Sequence, residues 1–502
     1  MNDERLDALI ESALPETPPD DAAGGITPWR KAMAQVLWGI GLCAVTLNFL
    51  ALNYILPAVG AMLMLCGFRT LRRENRCFAW LYAVSALRAA IWVFTLVSLC
   101  TIYSSAPAVE RVSSSLTYGS VAAQLITPLL LFGAIRGVQA KAGVKKHAAG
   151  AIWLLVWYSI VLVLGLYGAV LGLLGGILFI AAFVLIIRSL YKLYSELDEA
   201  GYAVTAAPGR VSNRAMTIAL TGITLALMLC GYLFLARYPM DWQPLQPAGE
   251  AQTRAELAAL GFPEDVLADL SDEDVAKCAG ALRVVYYTED YPVNDGEEVR
   301  ETYVDGDGVA HTHISTEYPV KELRTTGVAV ELPEGRWMVF HHFRWTEPVN
   351  FYGTESIQLW TPDRMMPEGW YSGGEPSGRV MYGSGGESLV SDFYFLGRED
   401  YTSNSVFFGQ SYNNDLFAAY SAPLHAENVR GYVAYPVVMQ EKGWIFDSWV
   451  NYTHQQTPLQ FPVYTAMQMR MRNSWNKAGA FLTVQTALQF HPDNEPGGEI
   501  QY

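Results

Sequence analysis

Residues able to bind a metal or activate a nucleophile are sparse in this chain and widely spaced. His311 and His313 would share one face of a strand, a spacing that can chelate a metal ion. They follow a turn signal at Asp305-Gly306-Asp307-Gly308 and have no third ligand beside them, so the expectation is two exposed edge residues and no metal. His341 and His342 are adjacent and must point to opposite faces of a strand, which rules out a joint site. Asp305-Gly306-Asp307-Gly308 lacks the ligand run and terminal glutamate of an EF-hand and reads as a hairpin turn. Ser474-Trp475-Asn476-Lys477 has the Ser-x-x-Lys spacing of serine acyl enzymes, but it falls between two expected strands and has no companion motif. There is no His-Glu-x-x-His, Gly-x-Ser-x-Gly, phosphate loop or Cys-x-x-Cys, and no cofactor is expected.

One charge is out of place. Arg88 stands inside an otherwise apolar stretch, and ionisable groups at bilayer depth are costly and commonly functional. No Asp or Glu lies in the other apolar stretches to pair with it. The plainer alternative is a helix that enters the membrane only from about residue 89, with Arg88 snorkelling at the cytoplasmic surface.

The elements that position these residues fall into two kinds. Ala215 to Ala236 is free of charge and, as a helix, covers roughly 33 Å, enough to cross a hydrocarbon core of about 30 Å. Before it nearly everything is apolar; after it nearly everything reads as a water-soluble β domain. The first 240 residues hold 12 acidic and 18 basic residues, and the rest hold 37 and 16, a split hidden within the net charge of −15. The acidic second half argues against nucleic-acid binding, which needs a basic footprint.

The expected architecture is a membrane α-helical bundle of about seven spans, then an extracytoplasmic antiparallel β-sandwich of jelly-roll type carried on a short helical neck. An acidic cytoplasmic tail (residues 1–30) precedes a transmembrane domain (31–238), with spans near 33–50, 54–68, 79–103, 118–135, 148–167, 169–190 and 215–236. About fourteen Lys and Arg then fall in one set of loops, against Arg111 and Arg237 in the other, and the positive-inside bias puts the basic set in the cytoplasm. The N-terminus is therefore expected inside and the C-terminal domain outside, at the plasma membrane. Gly168, Gly172 and Gly176 recur every fourth residue, which lets helices approach closely and reads as helix packing.

Residues 239–252 read as a linker and 253–281 as the neck, with capping-box spacings at Thr253/Glu256 and Ser271/Asp274 and an apolar set from Leu257 to Val275. Residues 282–492 turn to period two, and 493–502 form a tail. Leu482, Val484, Leu488 and Phe490 share one strand face, and Met467, Met469 and Met471 alternate with polar residues in the same way. Arg336 to Trp345 is aromatic on both faces and suits a central, covered strand. With one cysteine, Cys278, beyond residue 240, this half has no internal disulfide. Aromatic side chains are its most distinctive stock, and Trp360, Trp370, Tyr371, Tyr382, Tyr401 and Tyr412 are the candidate ligand-binding set, for glycans or extended peptides.

Thr27–Met33, Asn53–Gly60 and Gly67–Asn75 resemble a group of uncharacterised multi-pass proteins of Gram-positive, Clostridia-like bacteria. That resemblance covers mainly the first 240 residues and implies no activity or site residue. The residues favour a non-enzymatic membrane protein with the bilayer as partner, a glycan, cell-wall fragment or peptide as outer ligand, and a cytoplasmic signalling protein within. A small-solute transporter or permease subunit is the alternative, and a surface glycan-processing enzyme is a weaker one.

Overall fold

In the computed structural model, residues 28–44, 47, 49–167, 172–200, 202, 207, 210–294, 297–304, 310–317, 320–405, 409–472 and 479–500 are described. The chain divides into two compact units, Met1–Gly231 and Tyr232–Tyr502.

The described helices of the first unit are α1 (Pro28–Ala44), α2 (Leu52–Leu71), α3 (Arg76–Ser98), α4 (Pro107–Lys141), α5 (Ala149–Leu166), α6 (Leu173–Glu199) and α7 (Asn213–Leu235), the last crossing into the second unit. Six of them, α2 to α7, are long and apolar enough to cross a membrane; α1 has 17 residues. Local chemistry sets their ends. Asn75 caps α3 by accepting from the Phe78 N–H at 3.0 Å, and its amide donates to the Ala134 carbonyl of α4 at 3.0 Å. Pro107 opens α4, where its missing N–H costs nothing.

Helices α1 and α2 pack backbone to backbone. A Cβ on Gly39 would meet the Gly60 carbonyl oxygen at 2.6 Å, one on Gly60 the Gly39 oxygen at 2.6 Å, and one on Gly67 the Ala32 oxygen at 2.6 Å. The glycine contact expected at Gly172 and Gly176 is not there: added carbons would find nothing within 4 Å, because those positions face away from the other described helices, while Gly168 lies outside the described residues. Four-residue spacing identifies a face suited to packing, not the partner that comes to it.

The second unit is built on two sheets. Strands β1 (Gln243–Pro244), β2 (Arg283–Asn294), β5 (Val320–Leu332), β6 (Arg336–Trp345), β8 (Trp370–Ser372), β9 (Ser377–Ser384), β10 (Glu387–Asp392), β13 (Glu427–Met439) and β16 (Gly498–Glu499) form a nine-stranded sheet in the order β1-β10-β9-β13-β6-β5-β2-β16, with β8 also on β13. Strands β7 (Glu355–Trp360), β11 (Phe395–Ser405), β12 (Gly409–Tyr420), β14 (Phe446–Gln455) and β15 (Phe481–Phe490) form the other, in the order β11-β12-β7-β14-β15. β3 (Glu297–Val304) and β4 (Ala310–Glu317) make a separate hairpin. All pairings are antiparallel except β16 with β2. One apolar core joins the two sheets, bringing Val339 and Phe343 of β6 against Ile357 of β7, Tyr452 of β14 and Leu488 of β15.

The three short helices α8 (Ala251–Ala259), α9 (Glu264–Asp269) and α10 (Asp272–Ala276) are not a free-standing neck. Leu257, Phe262, Val266, Leu270 and Val275 pack on Val328, Val330, Met338, Phe340 and Tyr432, so the helices cover the other face of the large sheet. That third layer explains why β6 is apolar on both faces: Val339 and Phe343 meet the second sheet, while Met338 and Phe340 meet the helices. Ser271 caps α10 as expected, accepting from the Asp274 N–H at 3.1 Å, but Thr253 lies inside α8, whose cap is Glu250.

Met467 to Met471 is helical rather than extended, within helix α12 (Ala466–Arg472), α11 being the turn Pro362–Met365. Met, Gln and Arg favour helices over strands, and Thr465 with Gln468 forms a reciprocal capping box at 3.1 Å in each direction. Met467 and Met471, one turn apart, pack with Phe417 and Ala419.

Candidate functional site

Four polar networks stand out among the described residues of the second unit. Inside the sandwich, Glu355 accepts from Tyr452 at 2.9 Å, contacts His454 Nδ1 at 3.0 Å and is fully buried. Elsewhere in the same core, His341 Nε2 lies 2.6 Å from Ser448 Oγ, which is 2.5 Å from the Tyr435 hydroxyl. Burial pushes the His341 imidazole down to about 3, so it is neutral at pH 7. A neutral histidine on a serine is the pairing of an activated nucleophile, but both are sealed in the core, where no substrate reaches them. On the far face of the five-stranded sheet, Asp415 accepts from Tyr401 at 2.5 Å and Gln358 at 2.6 Å and pairs with Arg364; Arg470 of α12 donates to Gln358 at 2.8 Å.

The fourth network borders open space. His342 points away from His341, as adjacent strand residues must, and meets Asp269 Oδ2 at 2.9 Å, while the Arg430 guanidinium donates to Oδ1 of the same carboxylate at 2.8 Å. Burial opposes the Asp269 charge, but His342 and Arg430 outweigh it and hold its carboxyl below the ordinary range. Next to it, buried Asp274 receives Lys277 Nζ at 2.8 Å, Ser377 Oγ at 2.6 Å, the Tyr432 hydroxyl at 2.6 Å and Ser271 Oγ at 2.9 Å. Here too burial opposes the charge, and these donors keep the carboxyl below its usual range.

Asp274, Ser271, Ser377 and Tyr432 line a cleft of about 670 Å³ whose other walls are Pro239–Asp241 and Gln243 of the linker, Val390–Asp392 of β10, and Phe393, Tyr394 and Leu396. Gly378 forms part of it with φ +152°, and a Cβ there would meet the Tyr432 carbonyl oxygen at 2.2 Å, so only glycine fits. Asp241, Glu273 and Asp392 stand exposed around the cleft. Its arginine, Arg379, is already turned onto the Asp269 carbonyl oxygen through Nε at 3.1 Å and Nη2 at 2.9 Å. The cleft therefore presents negative charge and aromatic surface, suited to a cationic or donor-rich ligand and hostile to an anion.

Lys277 Nζ is 3.2 Å from Ser377 Oγ, the separation of a serine–lysine pair. Its electrostatics run against that chemistry. Although burial opposes it, Asp274 and Glu273 raise the Lys277 pKa and hold the amine as a cation, while Ser377 spends its proton on Asp274. An amine held protonated is no base for the hydroxyl.

The six aromatic residues named from sequence do not converge. Trp370 is a core side chain, 1% exposed, because its indole N–H reaches the Ile445 carbonyl at 3.0 Å and its ring packs edge-on against Phe446. Tyr382 packs edge-on to Trp242. Trp360 pairs with Trp449 and lies beneath the Arg364 guanidinium. Tyr401 pairs in register with Asn413, and Tyr412 with Thr402, so the two tyrosines project from opposite faces. Tyr371 and Tyr412 are exposed. His311 is exposed on β4 and stacks with Tyr303. Asp305–Gly308 and Ser474–Lys477 lie outside the described residues, among which no His, Cys, Asp and Glu group is arranged to hold a metal. Sequence reasoning missed Asp269, Ser377 and Arg379: Asp269 meets His342 from 73 positions away, and only the covered β6 pattern hinted that something packs there.

No family model matches this chain, and comparison with curated proteins likewise finds no match.

Proposed function

We propose that this chain is a multi-pass membrane protein that receives a positively charged ligand, such as a basic peptide or an amine-bearing cell-wall fragment, in the acidic cleft of its soluble unit. The observation that carries this reading is the cleft's composition. One wall is formed by Pro239, Met240, Asp241 and Gln243, which follow α7 after three residues, and Gln243 pairs directly with Val390 of β10, which also lines the cleft. Occupancy therefore bears directly on the chain leaving the last membrane helix. In this reading α1 counts as a seventh crossing, the jelly-roll-type sandwich is presented outside the cell, and the basic loops dock an acidic cytoplasmic signalling partner. A small-solute transporter is a second reading, supported by Arg88 alone.

The test is thermal unfolding of the full-length protein in detergent with a panel of lysine-rich peptides, amine-bearing cell-wall fragments and neutral glycans. A cationic hit should raise the melting temperature, and Asp241→Asn with Asp392→Asn should reduce its affinity at least about tenfold, steepest at low salt. Binding that both substitutions leave unchanged places the ligand elsewhere; stabilisation by anionic fragments alone overturns the reading.

A further inference from the structure

Arg88, the thirteenth of the 23 residues of α3, is buried at mid-helix and does not snorkel from a helix end. Two other cations of the helical unit open onto a shared space. Lys31, fourth in α1, and Arg214, second in α7, line a cavity of about 520 Å³ whose third wall is the C-terminal half of α2. The walls are fixed by contacts that leave both cations out. Asn213 Nδ2 donates to the Thr70 hydroxyl at 3.1 Å and to the Cys66 carbonyl at 3.3 Å, and Arg69 donates to Asn213 Oδ1 at 2.9 Å. One turn further along α7, Thr217 Oγ1 lies 3.4 Å from Cys66 Sγ. On the other side, Gly67 lets α2 sit directly on the Ala32 carbonyl of α1. Among the described residues no carboxylate pairs with Lys31 or Arg214, and the Gln35 amide, which also lines the cavity, makes no hydrogen bond. The acids of this unit that form ion pairs serve other bases: Glu74 takes Lys141, and Glu196 takes His147.

The lining changes character along the helix axes. Lys31, Thr70 and Arg214 lie near the ends of their helices, whereas Leu63 is roughly 10 Å deeper in α2 and Ile218 one turn deeper in α7. Both α2 and α7 are long and apolar enough to cross a membrane, so the groove runs from a cationic rim towards the hydrocarbon. A free anion uses the rim alone and leaves the apolar floor wet; a molecule with an anionic head and an acyl chain covers both. We propose that this groove holds one phospholipid with an anionic headgroup. Its phosphate oxygens meet Lys31 and Arg214, its ester oxygens face Gln35 and Thr217, and an acyl chain starts along Leu63 and Ile218. This site is independent of the acidic cleft, whose charge has the opposite sign.

The experiment follows the thermal unfolding of full-length protein in dodecyl maltoside at ionic strength fixed with chloride. Its three arms are mixed micelles with phosphatidylglycerol, mixed micelles with phosphatidylcholine, and inorganic phosphate. Phosphatidylglycerol is expected to raise the melting temperature of the wild type by at least about 3 °C more than phosphatidylcholine, and inorganic phosphate by less than about 1 °C. Lys31→Gln with Arg214→Gln should abolish the preference between the lipids. Lys145→Gln with Lys146→Gln removes the same charge from exposed positions outside the groove and should keep it. Equal gains with the two lipids, or a gain from phosphate that matches phosphatidylglycerol, overturn the proposal. So does an undiminished preference in the groove variant, or an equal loss in both variants. Should the groove variant fail to fold, each single substitution is expected to lose at least half of the preference, and full preference in both overturns the proposal.

Discussion

Arg88 in the helical unit and Arg430 in the sheet-rich unit are buried to nearly the same degree, 6% and 8% exposed, yet their surroundings are opposites. Arg430 rests on Asp269, which also takes His342, and the same carboxylate sits within a layer of helices and sheet that packs around it. Arg88 is buried in an apolar helical unit, and its Nε has no hydrogen-bond partner. The second unit thus carries its own counter-charge, Asp269 for Arg430, and its polar networks hold one arrangement of strands and helices. A charge compensated internally serves the fold, whereas a charge left over is available to something that comes from outside.

The largest expected effect tests the compensated side. Asp269→Ala strands Arg430 and His342 in the interior and is expected to cost about 3–5 kcal/mol in guanidinium unfolding followed by tryptophan fluorescence. A loss below about 1 kcal/mol would mean that Arg430 is hydrated after all, and the contrast with Arg88 would collapse.

A smaller effect follows from His341. Its folded pKa lies near 3, below the ordinary value, so the folded state stays neutral while the unfolded chain takes up a proton below about pH 6.5. Its contribution is complete above pH 6.5 and is lost as pH falls towards 3, by up to about 1.4 kcal/mol per unit. Between pH 7 and pH 5, His341→Gln should therefore lose about 2 kcal/mol less stability than wild type. Parallel pH profiles for the two proteins would show that this core admits water.

The smallest effect compares backbone packing inside the helical unit. Gly67→Ala drives a carbon to 2.6 Å from the Ala32 oxygen and is expected to cost about 1–3 kcal/mol, whereas Gly176→Ala has open space and should change stability by less than about 1 kcal/mol. Thermal melts in detergent check the pair, and equal losses would mean that a packing partner also reaches Gly176.

Local chemistry was legible in the sequence, and long-range company was not. The apolar runs, the alternation of β15, the Ser271 cap and the two-sided burial of β6 all follow from spacing along the chain. The helix at Met467 was misread because six alternating residues suit either period, and Thr465-Ala466-Met467-Gln468 was the capping signal that decides it. The aromatic set failed as a site for a different reason. An indole is spent in the core wherever its N–H finds a carbonyl, as Trp370 does at Ile445, and sequence does not disclose where that carbonyl will be. The cleft could not be foreseen, since it assembles the linker, α10, β9, β10 and β13 from nearly 200 residues of chain.

Both margins of the nine-stranded sheet end in two-residue strands, β1 and β16. On β1 the second residue is Pro244, which has no N–H to offer, and its neighbour Leu245 has already given its own to Ser388. A strand from a second molecule therefore finds almost no ladder to extend at that margin. Copies crowded in the plane of a membrane, at local concentrations far above those in solution, meet no such template at this margin, and the segment that borders the cleft also blunts this edge of the sheet.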